Sequence, residues 1–384
     1  MKRIIPYGHQ WIDDSDIAAV ARSLRGDWIT QGPAVEKFEK AVAKYCSASY
    51  AVAFSSGTAA LHAAYAAAGI GKGDEVITTP MTFAATANGV VYCGGRPVFV
   101  DIQEDTLNID PEKIEKKITK RTKAIAPVDF AGHPADLDAI RKIARKHKLV
   151  IIEDAAHALG SEYKGKKVGG LSDMTIFSFH PVKAITTGEG GMVVTNRRDF
   201  YEKLKTFRHH GIAKRSEKGS WYYEIETPGY NYRITDFQCA LGFSQFKKLA
   251  RFIRRRREIV RQYNKAFCNI KEIILPVERA YSTSAYHLYP IKLRLELLKA
   301  GRKEIFEALR KKGFGVQVHY IPVHFHPFYE KTFAYKRGDF RVAENYYDRA
   351  LTLPLFPAMT SADVRKVIGT VQKTIAQHRK SFRR

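Results

Sequence analysis

The run Ser178-Phe179-His180-Pro181-Val182-Lys183 places a lysine just after a short apolar stretch, Met174 to Phe177, and before the glycine-rich Thr186-Thr187-Gly188-Glu189-Gly190-Gly191. An amine held at a strand end and partly removed from water loses some of its preference for the ammonium form. It can then form an imine with a carbonyl compound. A solvated surface lysine is the commoner reading of any single Lys in so basic a chain, so the neighbouring chemistry has to decide.

Three other stretches bear on it. Ser55-Ser56-Gly57-Thr58 follows an apolar run and opens a helical pattern. Free backbone N–H groups at such a helix start bind phosphate, although a plain Ser/Thr cap reads the same way. Ile151-Ile152-Glu153-Asp154 puts Asp154 at the end of an apolar strand, where it could hold a ring nitrogen cationic or simply cap or salt-bridge. His157 follows one helical turn on. Phe83, in Pro80-Met81-Thr82-Phe83, could stack on a heteroaromatic ring or sit in the core. Together these residues supply a phosphate cradle, a stacking ring, a carboxylate for a pyridine nitrogen and an imine-forming amine, with the Ser178 hydroxyl available to phosphate. Pyridoxal 5′-phosphate needs that set.

The elements that would position them follow from the apolar pattern. Strands are expected at Tyr50 to Phe54, Glu75 to Thr79, Pro97 to Asp101, Thr122 to Pro127 and Leu149 to Glu153. Helices are expected between them at Thr58 to Ala68, Ala84 to Cys93 and Leu137 to Lys146. This alternation predicts an α/β fold, a mostly parallel mixed sheet covered by helices. Met174 to Phe177 and Gly191 to Thr195 have little helix between them, which predicts a local antiparallel pair. Two amphipathic helices fill 14–47, broken at Gly26 and Gly32-Pro33. Beyond Thr235 come a long basic helix, a strand (Tyr286 to Leu293), a helix (Arg302 to Lys312) and a strand (Gly315 to His319). Helices at Phe340 to Ala350 and Ser361 to Gln377, with Ser361 as N-cap, complete a smaller α+β unit. The expected domains are 1–250 and 251–384, with the boundary inside the long helix.

At 384 residues, 45% hydrophobic and 27% charged, the chain has the make-up of a soluble globular protein. No apolar stretch approaches the roughly 18 residues of a membrane span, and the N-terminus has no signal-peptide core. Cys46, Cys93, Cys239 and Cys268 are scattered, which reads as reduced thiols and not as a disulfide frame or zinc site. A cytoplasmic protein without a metal is expected. The net charge of +25 raises nucleic-acid binding as a rival function. No nucleic-acid motif supports it, and Arg254-Arg255-Arg256-Arg257 reads as the outer face of an amphipathic helix. The segment from His378 to Arg384 reads as a frayed tail.

On Ser55–Thr58, Glu153-Asp154-Ala155-Ala156-His157, Ser178 to Gly191 and Gly229-Tyr230-Asn231-Tyr232-Arg233, the chain resembles the DegT/DnrJ/EryC1/StrS family of pyridoxal-phosphate-dependent sugar aminotransferases. The likeness runs from about Pro6 to the final helix. It implies fold type I, the aspartate-aminotransferase-like architecture. It further implies that Lys183 carries the cofactor as an imine and Asp154 partners its ring nitrogen. Ser56, Gly57, Thr58 and Ser178 would take the phosphate, Phe83 the ring face, and His157 would lie near the ring oxygen. Asn231 would reach across a homodimer interface to the partner's cofactor. Lys183 and Asp154 are thus the expected catalytic pair.

The phrase Ala184-Ile185-Thr186-Thr187-Gly188-Glu189 looks like the members that aminate sugar C4, and the wording around Lys183 and His157 is closest to the pseudaminic-acid branch. L-Glutamate and a UDP-linked 4-keto-6-deoxy-N-acetylhexosamine would be the substrates, with no role for nucleic acid or membrane. By the same resemblance Tyr7, Trp28, Ile29, Thr30, Gln31, Ser178, Asn231, Gln317, Val318, His319 and Tyr320 would contact the nucleotide sugar.

Overall fold

A computed structural model describes residues 4–380. Its centre is a seven-stranded sheet of β1 (Tyr50–Phe54), β2 (Glu75–Thr78), β3 (Arg96–Phe99), β4 (Thr122–Ile125), β5 (Val150–Asp154), β6 (Met174–Ser178) and β7 (Gly191–Thr195). The strands lie in the order β1-β7-β6-β5-β4-β2-β3. All pairings from β3 through β6 are parallel, whereas β7 runs antiparallel to both β6 and β1. The link between β6 and β7 holds no helix to carry a parallel crossover over the sheet, so the chain turns back beside β6.

Helices cover both faces, so the central strands are apolar on both sides. On the N-terminal side lie α1 (Asp14–Leu24) and α2 (Pro33–Tyr45). Asp13 caps α1 in a reciprocal box with Asp16, and Pro33 starts α2 at the position where its missing N–H costs nothing. The alanine-rich α3 (Gly57–Ala67), α4 (Ala85–Tyr92), α5 (Leu137–His147) and α6 (Arg198–Arg208) complete the layers. The small side chains of α3 let it sit close on the sheet, and almost the whole helix is buried.

After α7 (Asp236–Phe246), the nineteen-residue α8 (Leu249–Phe267) joins two cores. Its Leu249, Phe252 and Ile253 pack with Phe38, Phe177 and Phe179. Its Ile259, Val260, Tyr263 and Phe267 pack with Tyr289, Ile291, Leu351 and Val367. That second core is built on β8 (Tyr289–Leu293) and α9 (Arg302–Lys311), whereas Ala343 and Tyr346 of α10 (Arg341–Arg349) join a separate cluster with Phe99 and Phe130. β9 (Ala350–Leu353) and α11 (Ser361–His378) complete the second core.

Several expectations need correction. The four-arginine run is not wholly an outer face: Arg256 is 1% exposed. It lies four residues after Phe252 and three before Ile259, on the inward stripe of α8. Its Nη1 donates to the carbonyls of Leu355 (2.9 Å), His287 (3.2 Å) and Tyr286 (3.4 Å). Thr360, not Ser361, caps α11, accepting from the Asp363 N–H at 3.1 Å while Asp363 returns the favour. Ala350 starts a strand, and the strand expected at Gly315 shortens to Phe314–Gly315, which pairs with Ile5–Pro6. Of the expected tail, Arg379 is tied to Glu272 and Lys380 to the Leu297 carbonyl, while 381–384 lie outside the described residues.

Candidate active site

The C-terminal ends of four strands, β1, β2, β5 and β6, deliver the candidate residues to one cavity of about 390 Å3. Asp154 is the last residue of β5 and Ser178 the last of β6. Ser56 and Gly57 start α3 directly after β1, and Phe83 lies in the turn between β2 and α4. Tyr7, Ser56, Gly57, Thr58, Phe83, Asp154, His157, Ser178, Lys183, His319 and Tyr320 all line the cavity.

At one end, Ser56 caps α3 by accepting the Ala59 N–H at 3.0 Å, so the free N–H groups and positive pole of the helix face the cavity. Two glycines permit this approach. Gly191 pairs with both Ser178 and Phe54, and a Cβ there would lie 2.4 Å from the Ser56 carbonyl oxygen. A Cβ on Gly57 would stand 3.0 Å from that of Ser178, in the space between the helix start and the serine hydroxyl.

At the other end Asp154 is buried. Its Oδ2 accepts the Thr86 hydroxyl at 2.6 Å and its Oδ1 the Ala156 N–H at 3.1 Å. Burial pushes its pKa above the ordinary carboxylate value, and these donors, with the Lys183 charge, oppose that push. Lys183 is lowered to about 8 by burial, against the attraction of Asp154. An amine so tuned is roughly one-fifth neutral near physiological pH, far more than an ordinary lysine, and the neutral form is the one that makes an imine.

Imidazoles line the wall. His157 accepts the Ala131 N–H at Nδ1 (3.3 Å) and meets the Tyr320 hydroxyl at Nε2 (3.1 Å). Burial holds it well below the usual histidine range, and does the same to His287, whose ring centroid is 4.4 Å away. Burial takes His319 down to about 3.

Thr86 and His287 are residues that sequence reasoning missed. His287 lies before β8, remote from any motif; Thr86 in α4 is three residues past Phe83, yet only its tertiary contact with Asp154 marks it. Other expected contacts do not line this chain's cavity. Trp28, Ile29, Thr30 and Gln31 belong to the α1–α2 loop, whose backbone is tied to Thr235 and Asp236, and Trp28 and Ile29 are exposed there. Gln317 is held by a bridge to Thr352, and Val318 packs toward the C-terminal core. Asn231 is exposed, bridged to His209. Two larger grooves, of about 570 and 940 Å3, are lined by neither Lys183 nor Asp154; Trp28 edges both.

Residues 10–372 match the DegT/DnrJ/EryC1/StrS aminotransferase family, and the chain belongs to it. Two curated relatives run nearly end to end. MJ1066 of Methanocaldococcus jannaschii is 48% identical, covering 96% of this chain and 97% of its own. A UDP-4-amino-4,6-dideoxy-N-acetyl-beta-L-altrosamine transaminase of Campylobacter jejuni is 42% identical, covering 99% and 100%. Among solved structures, Helicobacter pylori PseC, an aminotransferase involved in pseudoaminic acid biosynthesis, superposes with a TM-score of 0.92. It is 35% identical, with 98% of this chain and all of that one covered. Streptococcus pneumoniae Spr1654 in its PLP form gives 0.92 at 31% identity, covering 97% and 99%.

The fold is therefore that of the fold-type-I aminotransferases, and the chain is a sugar aminotransferase of this family. Pyridoxal phosphate is the cofactor these relationships imply. The cavity fits it. A helix N-terminus with glycine relief suits the phosphate, a hydrogen-bonded buried carboxylate suits the ring nitrogen, and an amine lowered to about 8 suits the aldehyde.

Proposed function

We propose that this enzyme transfers the amino group of L-glutamate to C4 of a UDP-linked 4-keto-6-deoxy-N-acetylhexosamine, giving UDP-4-amino-4,6-dideoxy-N-acetyl-β-L-altrosamine. The observation that carries the chemistry is the shared cavity of a pKa-lowered Lys183 and a hydrogen-bonded, buried Asp154. The sugar assignment is supported by the near full-length likeness to the Campylobacter transaminase and to PseC.

When bound, pyridoxal phosphate supplies an electron sink that stabilises negative charge on the carbon next to the transferred nitrogen. The protein's own groups do the rest. Ser56, Gly57, Thr58 and Ser178 hold the phosphate. Phe83 covers the ring face, and Asp154 keeps the ring nitrogen protonated. Lys183 would serve as the base and acid that moves a proton on and off the reacting carbon. Its lowered pKa keeps a free base available for that step. Tyr7, His319 and Tyr320, at the cavity wall, face the sugar. The Trp28–Gln31 loop, Gln317, Val318 and Asn231 serve the nucleotide or the partner's site in a homodimer, where surfaces open in one chain are covered.

Borohydride reduction followed by peptide mapping tests the cofactor linkage, and label anywhere but Lys183 refutes it. Incubation with glutamate and a panel of nucleotide keto-sugars tests the substrate. Amination of a GDP-linked 4-keto sugar or of a 3-keto sugar in preference to the UDP-linked 4-keto sugar replaces the assignment.

A further inference from the structure

We propose that Thr86, backed by Thr82, is the positioning residue that keeps the Asp154 carboxylate ionised and aimed into the cavity. The inference rests on Asp154 being the partner of the cofactor's ring nitrogen.

The case is one of counting protons. Thr86, Thr82 and Asp154 are all buried. The Thr86 hydroxyl has a single proton and three oxygen neighbours: Asp154 Oδ2 at 2.6 Å, Thr82 Oγ1 at 2.7 Å and the Phe83 carbonyl at 3.3 Å. A carboxylate is the strongest acceptor of the three, and its contact is the shortest, so the proton goes to Asp154. The 2.7 Å contact then needs Thr82 as donor. The result is a one-way chain, Thr82 to Thr86 to Asp154, ending on a charge that burial alone would neutralise. Thr86 stands first among the groups that oppose that neutralisation. The Ala156 N–H satisfies the other carboxylate oxygen, so both are fixed in direction.

The chain is held from outside as well. The buried Tyr65 hydroxyl donates to the Thr86 carbonyl at 3.0 Å, pinning the first turn of α4. Phe83 lies between the two threonines. One short turn therefore supplies both the ring that covers the cofactor's face and the donor that charges its nitrogen partner. Of the hydroxyl's three oxygen neighbours, only Asp154 is remote in the chain and carries charge.

The test reconstitutes apo protein with ring-15N-labelled pyridoxal phosphate. It compares wild type with Thr86→Val, Thr86→Ser and Thr82→Val by cofactor Kd, by the ring-nitrogen resonance and by thermal melting. A hydrogen bond to a charged group is of the order of a ten-fold effect. The expected result is a roughly ten-fold weaker Kd in Thr86→Val, with its nitrogen resonance moved toward the unprotonated position. Thr86→Ser, which restores the hydroxyl, should lie within about three-fold of wild type. Thr82→Val should give a smaller change of the same sign, and it carries the test if Thr86→Val does not fold. Equal losses in the valine and serine variants, or an unmoved nitrogen resonance in Thr86→Val (in Thr82→Val if that variant carries the test), overturn the inference while leaving the cofactor reading intact. A wild-type chain that takes up no cofactor overturns both.

Discussion

The main-chain N–H of Ala131 points at Nδ1 of His157 from 3.3 Å, and this contact fixes which imidazole nitrogen carries the proton. Ala131 adopts a left-handed backbone (φ 57°), followed by Gly132 at φ 96°, a turn that aims the N–H inward. With Nδ1 accepting and burial keeping the ring neutral, Nε2 carries the proton and donates to the Tyr320 hydroxyl. The tyrosine's own proton is then free to turn into the cavity. Replacing Tyr320 with Phe removes that donor and leaves a buried N–H without its acceptor. Roughly ten-fold lower kcat/KM toward the keto-sugar is expected, checked by steady-state kinetics.

Lys183→Ala is expected to abolish turnover and the absorbance band of the protein-bound imine. Full activity in that variant ends the assignment. Asp154→Ala keeps some cofactor, because the phosphate cradle is untouched, but loses most activity as the electron sink weakens.

The lowered Lys183 pKa gives a pH test of the apo protein. Only the neutral amine attacks an aldehyde, so cofactor capture should speed up about ten-fold per pH unit below about 8 and level off above it. Stopped-flow absorbance follows this directly. A rate flat from pH 6 to 9 contradicts the neutral-amine argument.

Buried, neutral histidines make the fold acid-sensitive. His319 is lowered from 6.5 to about 3, so between those values the unfolded chain binds a proton that the folded chain refuses. Stability is therefore full above 6.5 and declines as pH falls toward 3. His319 alone accounts for about 2 kcal/mol lost at pH 5. Urea melts at pH 7.5 and pH 5 should show the loss, and His319→Asn should reduce it.

Along the arginine run the expected costs differ sharply. Arg256→Ala strands three buried carbonyls and opens a void, for a cost of about 3–5 kcal/mol. Arg254→Ala, on the exposed side of the same helix, should stay within about 0.5 kcal/mol. Equal urea midpoints for the two variants contradict the inward position of Arg256.

Much of the candidate site is legible in the sequence. Lys183, Asp154, Ser178 and the Ser56–Thr58 turn carry local signals, because a strand end, a glycine or a helix start is written in neighbouring residues. Thr86 and His287 carry none, since a threonine in a helix and a histidine before a strand have many ordinary roles. Arg256 misled for a related reason: composition favours the surface for arginine, and only the phase of Phe252 and Ile259 on α8 argues otherwise.

The chain's order of apolar runs determined the strands of the central sheet and their parallel course, with their ends placed to within two residues. Side-chain periodicity is a local property, so sequence suffices for it. Which strand lies beside which, and hence that Gly191 faces both Ser178 and Phe54, was decided by packing between segments far apart in the chain. The same packing put a hydroxyl on Asp154 and drew Lys183 partly out of water. Desolvation and hydrogen-bond direction depend on everything that surrounds a group, and those surroundings exist only once the chain has closed on itself.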